Sequence, residues 1–536
     1  MSDLVIAGGT VVDGTGAPER VADVGITAGR VDAVAAPGTL DGTRIDADGL
    51  VVCPGFIDLH SHADFSVTGH PGADTAVTQG VTTLVTGNCG WSPFPVGDLA
   101  ELRAASAFLK GELDWTWTDA AGYADAVDAA RPAVNLALQV GHSALRLAAM
   151  GGAERAPSAD ELERMGTLLA EAAVQGVWGF STGLIYAPGA YGDAAEVTAL
   201  ARVAAAHGLL YSTHMRNEAD ALLDAVREAV ATARETGVRL EISHLKVMGR
   251  TNHGAVTEAL AIIDAARIEG VDVACDVYPY TASSTTLTSR LPAWALDGGV
   301  ERMLERLADG PTRERVAAGL RERMARDVDP EGVVIADLPP GPFTAARGRS
   351  VADIARDLGT DPADAALRVL AGHRGAVSIV NHAMAAADVR TVLRHPASSV
   401  ASDGWELRPD GPGRPHPRSF GTFTKVLGPH VRDGDLPLAA AVHKMTGLPA
   451  ARLGMTDRGV LRPGAVADVA VLDPATVTDR STYDDPWQLS TGVQHVLVAG
   501  DQVLSDGALT GRRPGKVLRR PAPERRQGGF TGAIRQ

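Results

Sequence analysis

Residues 55–64, GFIDLHSHAD, contain the signal that decides the fold. A short apolar run predicts a buried β-strand, and His60 and His62 follow at its carboxyl end. Side chains two residues apart on a strand point to the same face, so both imidazoles can contact one ion. An isolated His-x-His pair is a weak motif that also occurs as packed or solvated histidines. Its meaning therefore depends on what the other strands carry at the same edge.

The middle of the chain repeats this strand unit. From about residue 55 to 455, apolar runs alternate with Ala-rich amphipathic stretches such as 219–237, ADALLDAVREAVATARETG. The alternation is typical of βαβα units and, at this length, favours an α/β fold with a closed (β/α)8 TIM-like barrel. Nine predicted strands compete for eight barrel positions, and residues 377–382, VSIVNH, are predicted to lie outside. The predicted strands end near His62, Gly87, His142, Gly183, His214, His244, Tyr278, His382 and Asp403.

Two regions depart from this rhythm. The chain ends, 1–54 and the last hundred residues, contain short alternating segments broken by Gly and Asp-Gly turns, which predict β-hairpins. Between Tyr280 and about Val377, charged helical sequence is followed by a Pro- and Gly-rich passage. This passage predicts an insertion after the seventh strand, where active-site lids of barrels lie.

The composition excludes several classes of protein. A chain of 536 residues with 45% hydrophobic residues and a formal charge of −15 is typical of a soluble globular protein, and argues against a nucleic-acid binder or membrane-surface protein. Its concentrated basic stretch is confined to Arg512–Arg526. The sequence contains neither a signal-peptide pattern nor an apolar run of about 18 residues. Three cysteines cannot form a disulfide framework, so we expect a cytoplasmic protein.

Further metal-ligand types follow other predicted strands. His214 and His244 end strands about one βα unit apart, and Cys89 follows the second strand in TGNCGWSP. One strand-end histidine is usually a hydrogen-bonded core residue, but their convergence at one barrel rim predicts a metal site. Beside imidazoles, a thiolate is a good soft ligand for zinc, whereas a free cysteine elsewhere is usually core. We assign that core role to Cys53 and Cys275.

Asp403, in ASDG, ends the last predicted strand. A carboxylate beside a metal-activated water can take its proton and later deliver a proton to a leaving group. An Asp before Gly also suits an ordinary helix N-cap, but the position on the ring of histidines favours catalysis. Hydrolysis of a C–N bond is the predicted reaction.

The motifs GFIDLHSHAD, TGNCG, STH, ISHLKVMG, DVYPYTASST and ASDG occur in this order along the chain. In this series the chain resembles the amidohydrolase superfamily, and most closely its N-acyl-D-amino-acid deacylase (D-aminoacylase) branch. The resemblance implies a small β-sandwich domain formed by both chain ends, 1–54 and 456–536. It also implies a hydrolase barrel over 55–455, with an insertion or lid over 285–345.

The resemblance also implies a metal-ligand set. Many relatives bridge two metals with a carboxylated lysine at the end of strand four, where this chain has GFSTGLIY, without a lysine. In the D-aminoacylase pattern a cysteine takes the bridging place. Cys89, His214 and His244 would then bind one tight zinc ion. A second, weaker site would be bordered by His60, His62 and Asp403, and the sequence leaves open whether one or two metals bind.

Four residues match the clamp that this branch uses for the substrate carboxylate: Lys246, Tyr278, Ser284 and Tyr186. An ammonium and hydroxyl groups beside the metal would fix an acyl amide for attack. A solvated loop lysine and core tyrosines are the alternatives. Arg418 and His416, in the loop after Asp403, could reach the substrate side chain or be structural.

Together these features predict zinc-dependent hydrolysis of the amide bond of N-acyl-D-amino acids, or a related N-acylated amine, to a carboxylate and a free D-amino acid. The expected partner is this small molecule, with neither nucleic acid nor membrane. The D-selectivity rests on the resemblance alone. Two alternatives remain: a cyclic-amide hydrolase of the hydantoinase or dihydroorotase type, which the missing lysine disfavours, and a catalytically silent scaffold with this fold.

Overall fold

The computed structural model describes residues 2–109 and 113–521. Its strands are β1 (Leu4–Val11), β2 (Arg20–Thr27), β3 (Arg30–Ala35), β4 (Thr43–Asp46), β5 (Val51–Pro54), β6 (Phe56–Asp58), β7 (Val81–Thr86), β8 (Asn135–Gly141), β9 (Gly179–Gly183), β10 (Leu210–His214), β11 (Arg239–Ile242), β12 (Val273–Val277), β13 (Ala282–Thr286), β14 (Val333–Asp337), β15 (Ser378–His382), β16 (Ser398–Val400), β17 (Val469–Leu472), β18 (Val493–Val498), β19 (Asp501–Ser505) and β20 (Ala508–Leu509).

The α-helices alternate with the middle strands. They are α1 (Asp74–Val77), α2 (Leu99–Ser106), α3 (Ala120–Ala130), α4 (His142–Met150), α5 (Ala159–Val174), α6 (Ala194–Ala206), α7 (Leu222–Thr236), α8 (Val256–Ile268), α9 (Gly299–Ala308), α10 (Gly310–Arg326), α11 (Val351–Leu358), α12 (Pro362–Gly372), α13 (Ala386–Arg394), α14 (Arg418–Lys425), α15 (Leu438–Met445) and α16 (Gly447–Leu453). Local chemistry sets several of their starts. At α5, for example, Ser158 and Glu161 form a capping box that satisfies main-chain N–H groups at the first turn.

Eight parallel strands form the barrel in the order β16-β12-β11-β10-β9-β8-β7-β6. The two end strands approach each other where a parallel bridge joins Ser61 to Gly404. Main-chain hydrogen bonds run there from Asp403 N to His60 O at 2.8 Å and from His62 N to Gly404 O at 2.8 Å. The prediction of a (β/α)8 barrel is confirmed, and the bridge brings the carboxyl ends of its first and last strands together.

The ninth predicted strand lies outside the barrel, as expected. β15 pairs antiparallel with β13 and β14 in a separate three-stranded sheet. This sheet and helices α9 to α12 enclose their own apolar core, which includes Leu320, Ile335 and Leu367. The inserted unit follows the seventh barrel strand and extends from 282 to 382, past both ends of the expected range 285–345. The extension arises because β13 and β15 are paired, so the unit includes the chain that enters and leaves it.

The two β-rich ends of the chain meet in one nine-stranded sheet. β5 and β17 join them, since Val469 pairs antiparallel with Pro54 and Val471 with Val52. Residues of β1, β2 and β18 fill a core of this sheet that includes Ile6, Val24 and Leu497. The prediction assigned 456–536 to the small β-sandwich domain. Residues 522–536 of that range, which include part of the basic stretch, lie outside the described residues. Within the described residues, no helix combines the length and apolar character required to cross a membrane.

Candidate active site

The carboxyl ends of five barrel strands bring six predicted metal-site residues to one place. His60 and His62 follow β6, Cys89 follows β7, His214 ends β10, His244 follows β11 and Asp403 follows β16. Each of them is at most 6% exposed. Residues separated by more than three hundred positions in the chain therefore share one buried cluster, because parallel strands end at the same rim.

The Cys89 thiol lies at the centre of three imidazoles. Its Sγ is 3.3 Å from His60 Nε2, 3.5 Å from His214 Nδ1 and 3.6 Å from His244 Nε2. Asp403 completes a four-residue group with Cys89, His60 and His244, in which one ligand atom from each lies within 4.8 Å of the others. A nitrogen, sulfur and oxygen donor set of this kind suits zinc.

The Asp403 carboxylate lies between this cluster and a guanidinium. Its Oδ1 is 3.0 Å from His62 Nε2 and 3.5 Å from His60 Nε2. Its Oδ2 accepts a hydrogen bond from Arg418 Nη1 at 2.7 Å. Burial alone would raise the pKa of Asp403, but Arg418 and the nearby imidazoles outweigh it and hold that pKa well below its usual range. The carboxylate is therefore ionised, and its two oxygens face Arg418 and His62.

Protonation states around the cluster also fit a metal. Burial lowers the pKa of His60 and of His244 to about 3, so both imidazoles are neutral and have a lone pair to offer. Burial raises the pKa of the Cys89 thiol well above its usual value. A bound zinc ion would displace the thiol proton, since a coordinating thiol is deprotonated outright.

Three residues of the cluster are among the ten described non-glycine residues that have a positive φ. Cys89, His244 and Asp403 have φ values of 52°, 37° and 51°, in the left-handed region that side chains other than glycine rarely adopt. Such a conformation costs about 1–3 kcal/mol per residue and is characteristic of functional sites. Three strand ends thus turn sharply to direct their side chains toward one point.

Gly183, the residue at which β9 ends, makes room for Cys89. A Cβ at position 183 would lie 1.9 Å from the Cys89 carbonyl oxygen. The end of barrel strand four, where many relatives carry a lysine, is thus occupied by the main chain of the cysteine turn. The absence of a lysine and the presence of Cys89 are two parts of one packing arrangement.

Gly183→Ala should therefore displace Cys89 and weaken zinc binding by about tenfold or more, as loss of ligand support does elsewhere. Competition with a chromophoric chelator measures the zinc dissociation constant. Gly166→Ala is a matched control, because a Cβ there meets Val203 at an ordinary 3.6 Å. Equal zinc affinity in the two variants would contradict this packing argument.

Comparison with known proteins bears directly on this site. The amidohydrolase family model matches residues 43–504. The chain belongs to the amidohydrolase family. It is 42% identical to the N-acyl-D-glutamate deacylase of Alcaligenes xylosoxydans xylosoxydans over 97% of each chain. It is 39% identical to the D-aminoacylase of the same organism, over 97% of this chain and 98% of the relative.

One solved structure is similar to this amidohydrolase over nearly the whole chain. It is the N-acyl-D-glutamate deacylase of Bordetella bronchiseptica, complexed with zinc and a phosphonate inhibitor that mimics the tetrahedral intermediate of the reaction. The TM-score is 0.82 at 41% identity, covering 97% of this chain and 99% of that chain. The family resemblance predicted from the motifs is confirmed.

A cavity of about 550 Å³ opens above the cluster of this amidohydrolase. Its walls come from the barrel loops, the inserted sheet and the segment after Asp403. All four predicted clamp residues line it, and so do the cations of Arg290 and Arg418 and the aromatic rings of Trp91, Phe108 and Trp405. A small molecule in this cavity would lie against the candidate metal ligands and against several charged groups.

The predicted clamp residues differ in their partners. Tyr278 has a buried hydroxyl without a hydrogen-bond partner among the described residues. Lys246 Nζ donates to Glu218 Oε1 at 2.6 Å. Tyr186 OH lies 3.2 Å from Thr285 Oγ1, and Ser284 is partly buried on β13. The Tyr278 hydroxyl is therefore the clamp group most evidently in need of a partner.

Two functional candidates were not found from the sequence. Arg290, in the insertion, is 3% exposed and lines the cavity. Its Nε donates to Ser289 Oγ at 3.2 Å, while burial and the nearby Arg323 lower the pKa of Arg290 to about 10. The other candidate is Glu218, whose carboxylate contacts His214, His244 and Lys246. Arginine and glutamate are common in helical and loop sequence, so neither position carried a motif.

The two residues of the loop after Asp403 that were left open both line the cavity and both have partners in the protein. Arg418 Nη1 contacts Asp403, and its guanidinium lies 5.1 Å from the ring centre of Tyr278 and 5.6 Å from that of Trp405. His416 Nε2 lies 2.9 Å from the Ala282 carbonyl oxygen, and its Nδ1 accepts from Arg418 N at 3.0 Å. Both side chains are tied to protein groups, which gives them structural partners at the cavity wall.

Proposed function

We propose that this amidohydrolase cleaves the amide bond of N-acyl-D-amino acids with zinc, giving a carboxylate and the free D-amino acid. The observation that carries the proposal is one cavity that combines an ionised Asp403, a thiol and imidazole cluster, and the buried cations of Lys246 and Arg290. Asp403 and the thiol and imidazole cluster can supply hydrolysis of an amide, and the two cations can bind a carboxylate. The names of the relatives support the D configuration.

Cys89, His214 and His244 would hold the tight zinc ion, while His60, His62 and Asp403 would border a second, weaker site. The contacts of the thiol with three imidazoles and the neutral state of His60 and His244 support this assignment. A bound zinc ion would lower the pKa of a water to about 7 and polarise the acyl carbonyl.

Asp403 would move the protons. Its carboxylate accepts the proton of the attacking water and then delivers it to the nitrogen that leaves as the amine. Ionisation of Asp403 supports the first step, since an acceptor must be deprotonated. Arg418 and His62 hold its two oxygens from opposite sides, which fixes the carboxylate at the cluster.

The substrate carboxylate would bind the groups across the cavity. Lys246 and Arg290 supply positive charge, and Tyr278 and Ser284 supply hydroxyl donors. Tyr186, which contacts the insertion through Thr285, would close the wall beside them. Holding the anion at a fixed distance from the cluster places the acyl carbon for attack.

The proposed partner is accordingly a small N-acyl amino acid, with no part for nucleic acid or membrane. We place the protein in the cytoplasm, and the three free, buried cysteines support a reducing compartment.

A substrate panel tests the proposal. Purified, zinc-loaded enzyme should release free amine from N-acetyl-D-amino acids with a kcat/KM at least about 100-fold above that for the L enantiomers, and chelation should remove the activity until zinc is restored. Faster turnover of hydantoins would favour the cyclic-amide alternative. Lack of any hydrolysis and of bound zinc would favour a silent scaffold.

A further inference from the structure

The outward nitrogens of two candidate zinc ligands face one buried carboxylate. Glu218 lies four residues after His214 and is 3% exposed. Its Oε2 is 3.2 Å from His214 Nε2, and its Oε1 is 3.0 Å from His244 Nδ1. Each ring turns its other nitrogen toward the Cys89 thiol. Glu218 therefore lies within ion-pair distance of both rings, at the nitrogens that face away from the sulfur, and His214 Nε2 makes no hydrogen bond of full geometry among the described residues.

The two rings need this carboxylate for a chemical reason. An imidazole that offers the lone pair of one nitrogen must carry its proton on the other, and that proton needs an acceptor. His214 would offer Nδ1 and protonate Nε2, whereas His244 would offer Nε2 and protonate Nδ1. One carboxylate with two oxygens serves both, although the rings use opposite tautomers.

The same carboxylate contacts the clamp lysine. Lys246 Nζ lies 2.6 Å from Glu218 Oε1 and 2.8 Å from His244 Nδ1. An ammonium has only donors, so Lys246 can bond His244 Nδ1 only while that nitrogen is unprotonated; once Nε2 is offered to zinc and Nδ1 carries the proton, Lys246 needs another acceptor. Glu218 Oε1 is then the charged acceptor of Lys246 at the cavity wall, and the His244 carbonyl oxygen at 3.3 Å is a second, neutral one.

Glu218 could alternatively be a metal ligand, since it forms a compact group with His214 and His244. The ammonium of Lys246 already lies against Glu218 Oε1, however, and a cation bound there would face a second positive charge. This contact favours a supporting role for Glu218 over direct ligation.

We propose that Glu218 is a positioning residue that fixes the tautomers of His214 and His244 for zinc and anchors Lys246 for the substrate carboxylate. The inference rests on the proposed function. It couples the metal site to the substrate clamp through one side chain.

The Glu218→Gln variant tests this role, because glutamine keeps the shape of the side chain but presents one acceptor oxygen to three donors. We expect its zinc dissociation constant, measured by chelator competition, to rise about 10- to 100-fold. KM for the N-acyl-D-amino acid should also rise, because Lys246 loses its anchor. Glu196→Gln is the matched control: Glu196 is also buried and pairs with a histidine and an arginine, His142 and Arg146, neither of which is a predicted metal ligand or clamp residue.

Two further variants separate the parts of the proposal. Glu218→Asp keeps the charge, so it should recover part of the zinc affinity lost in Glu218→Gln and provides a measurement if the glutamine variant does not fold. Lys246→Met should raise KM while leaving zinc affinity within about twofold of wild type. Melting of the zinc-free proteins reports any general loss of stability.

Weakened zinc binding in Glu218→Gln but not in Glu196→Gln, at similar melting temperatures of the zinc-free forms, would support the role. Unchanged zinc affinity in Glu218→Gln would overturn the role, and so would losses of zinc affinity in both variants that follow melting temperature alone. Wild-type activity would leave the proposed function standing in either case. A wild-type protein that neither binds zinc nor hydrolyses N-acyl-D-amino acids would overturn both.

Discussion

Asp403→Asn is expected to lower kcat by about 10²- to 10⁴-fold, the range that general acid–base catalysis contributes, while zinc stays bound. The carboxamide has a similar shape and can still accept from Arg418, but it cannot take up the proton of an attacking water. Steady-state kinetics and elemental analysis of the same preparation give the two quantities.

The control for this variant must also replace a buried carboxylate that pairs with an arginine. Asp468 provides one, because it pairs with Arg458 just before β17 of the nine-stranded sheet and is 4% exposed. Asp468→Asn should cost stability but leave kcat near that of wild type. Near-normal kcat in Asp403→Asn would refute the assigned base.

Cys89→Ala should have the largest effect on metal binding. The thiol contacts three imidazoles, so its removal takes away a ligand atom and the centre of the cluster. Since loss of a mere supporting group costs 10- to 100-fold in metal affinity, we expect zinc affinity to fall by more than about 100-fold. Activity at limiting zinc should disappear with it.

Cys275→Ala is the comparison, because Cys275 is equally buried but lies within β12 among core residues. That variant should lose stability through the missing sulfur and retain zinc affinity within about twofold. Tight zinc binding by Cys89→Ala, or equal losses in the two variants, would exclude Cys89 as the ligand.

The barrel and its rim could be predicted because their signals are local. A run such as 55–64 combines strand periodicity with polar residues at the strand end, and parallel strands bring such ends together. The extra strand at 377–382 could be placed outside the barrel for a related reason, since the alternation of strands and helices fails just before it. Tertiary structure added the pairing of β15 with β13 and β14.

The supporting residues were beyond prediction for a physical reason. Glu218 acquires its role from the opposite tautomers of two rings that meet only in the fold. Arg290 reaches the cavity because the insertion folds back over the barrel, and no local pattern records that path. Likewise, Arg418 pairs with Asp403 across a loop whose sequence equally suits contact with substrate.

The central claim is that Cys89 and histidines distant in the chain bind one zinc ion. X-ray absorption at the zinc edge of the protein loaded with one equivalent of zinc tests it directly. The account predicts one sulfur at about 2.3 Å together with nitrogen or oxygen ligands at about 2.0 Å, and loss of the sulfur in Cys89→Ser. A wild-type zinc shell without sulfur would contradict it.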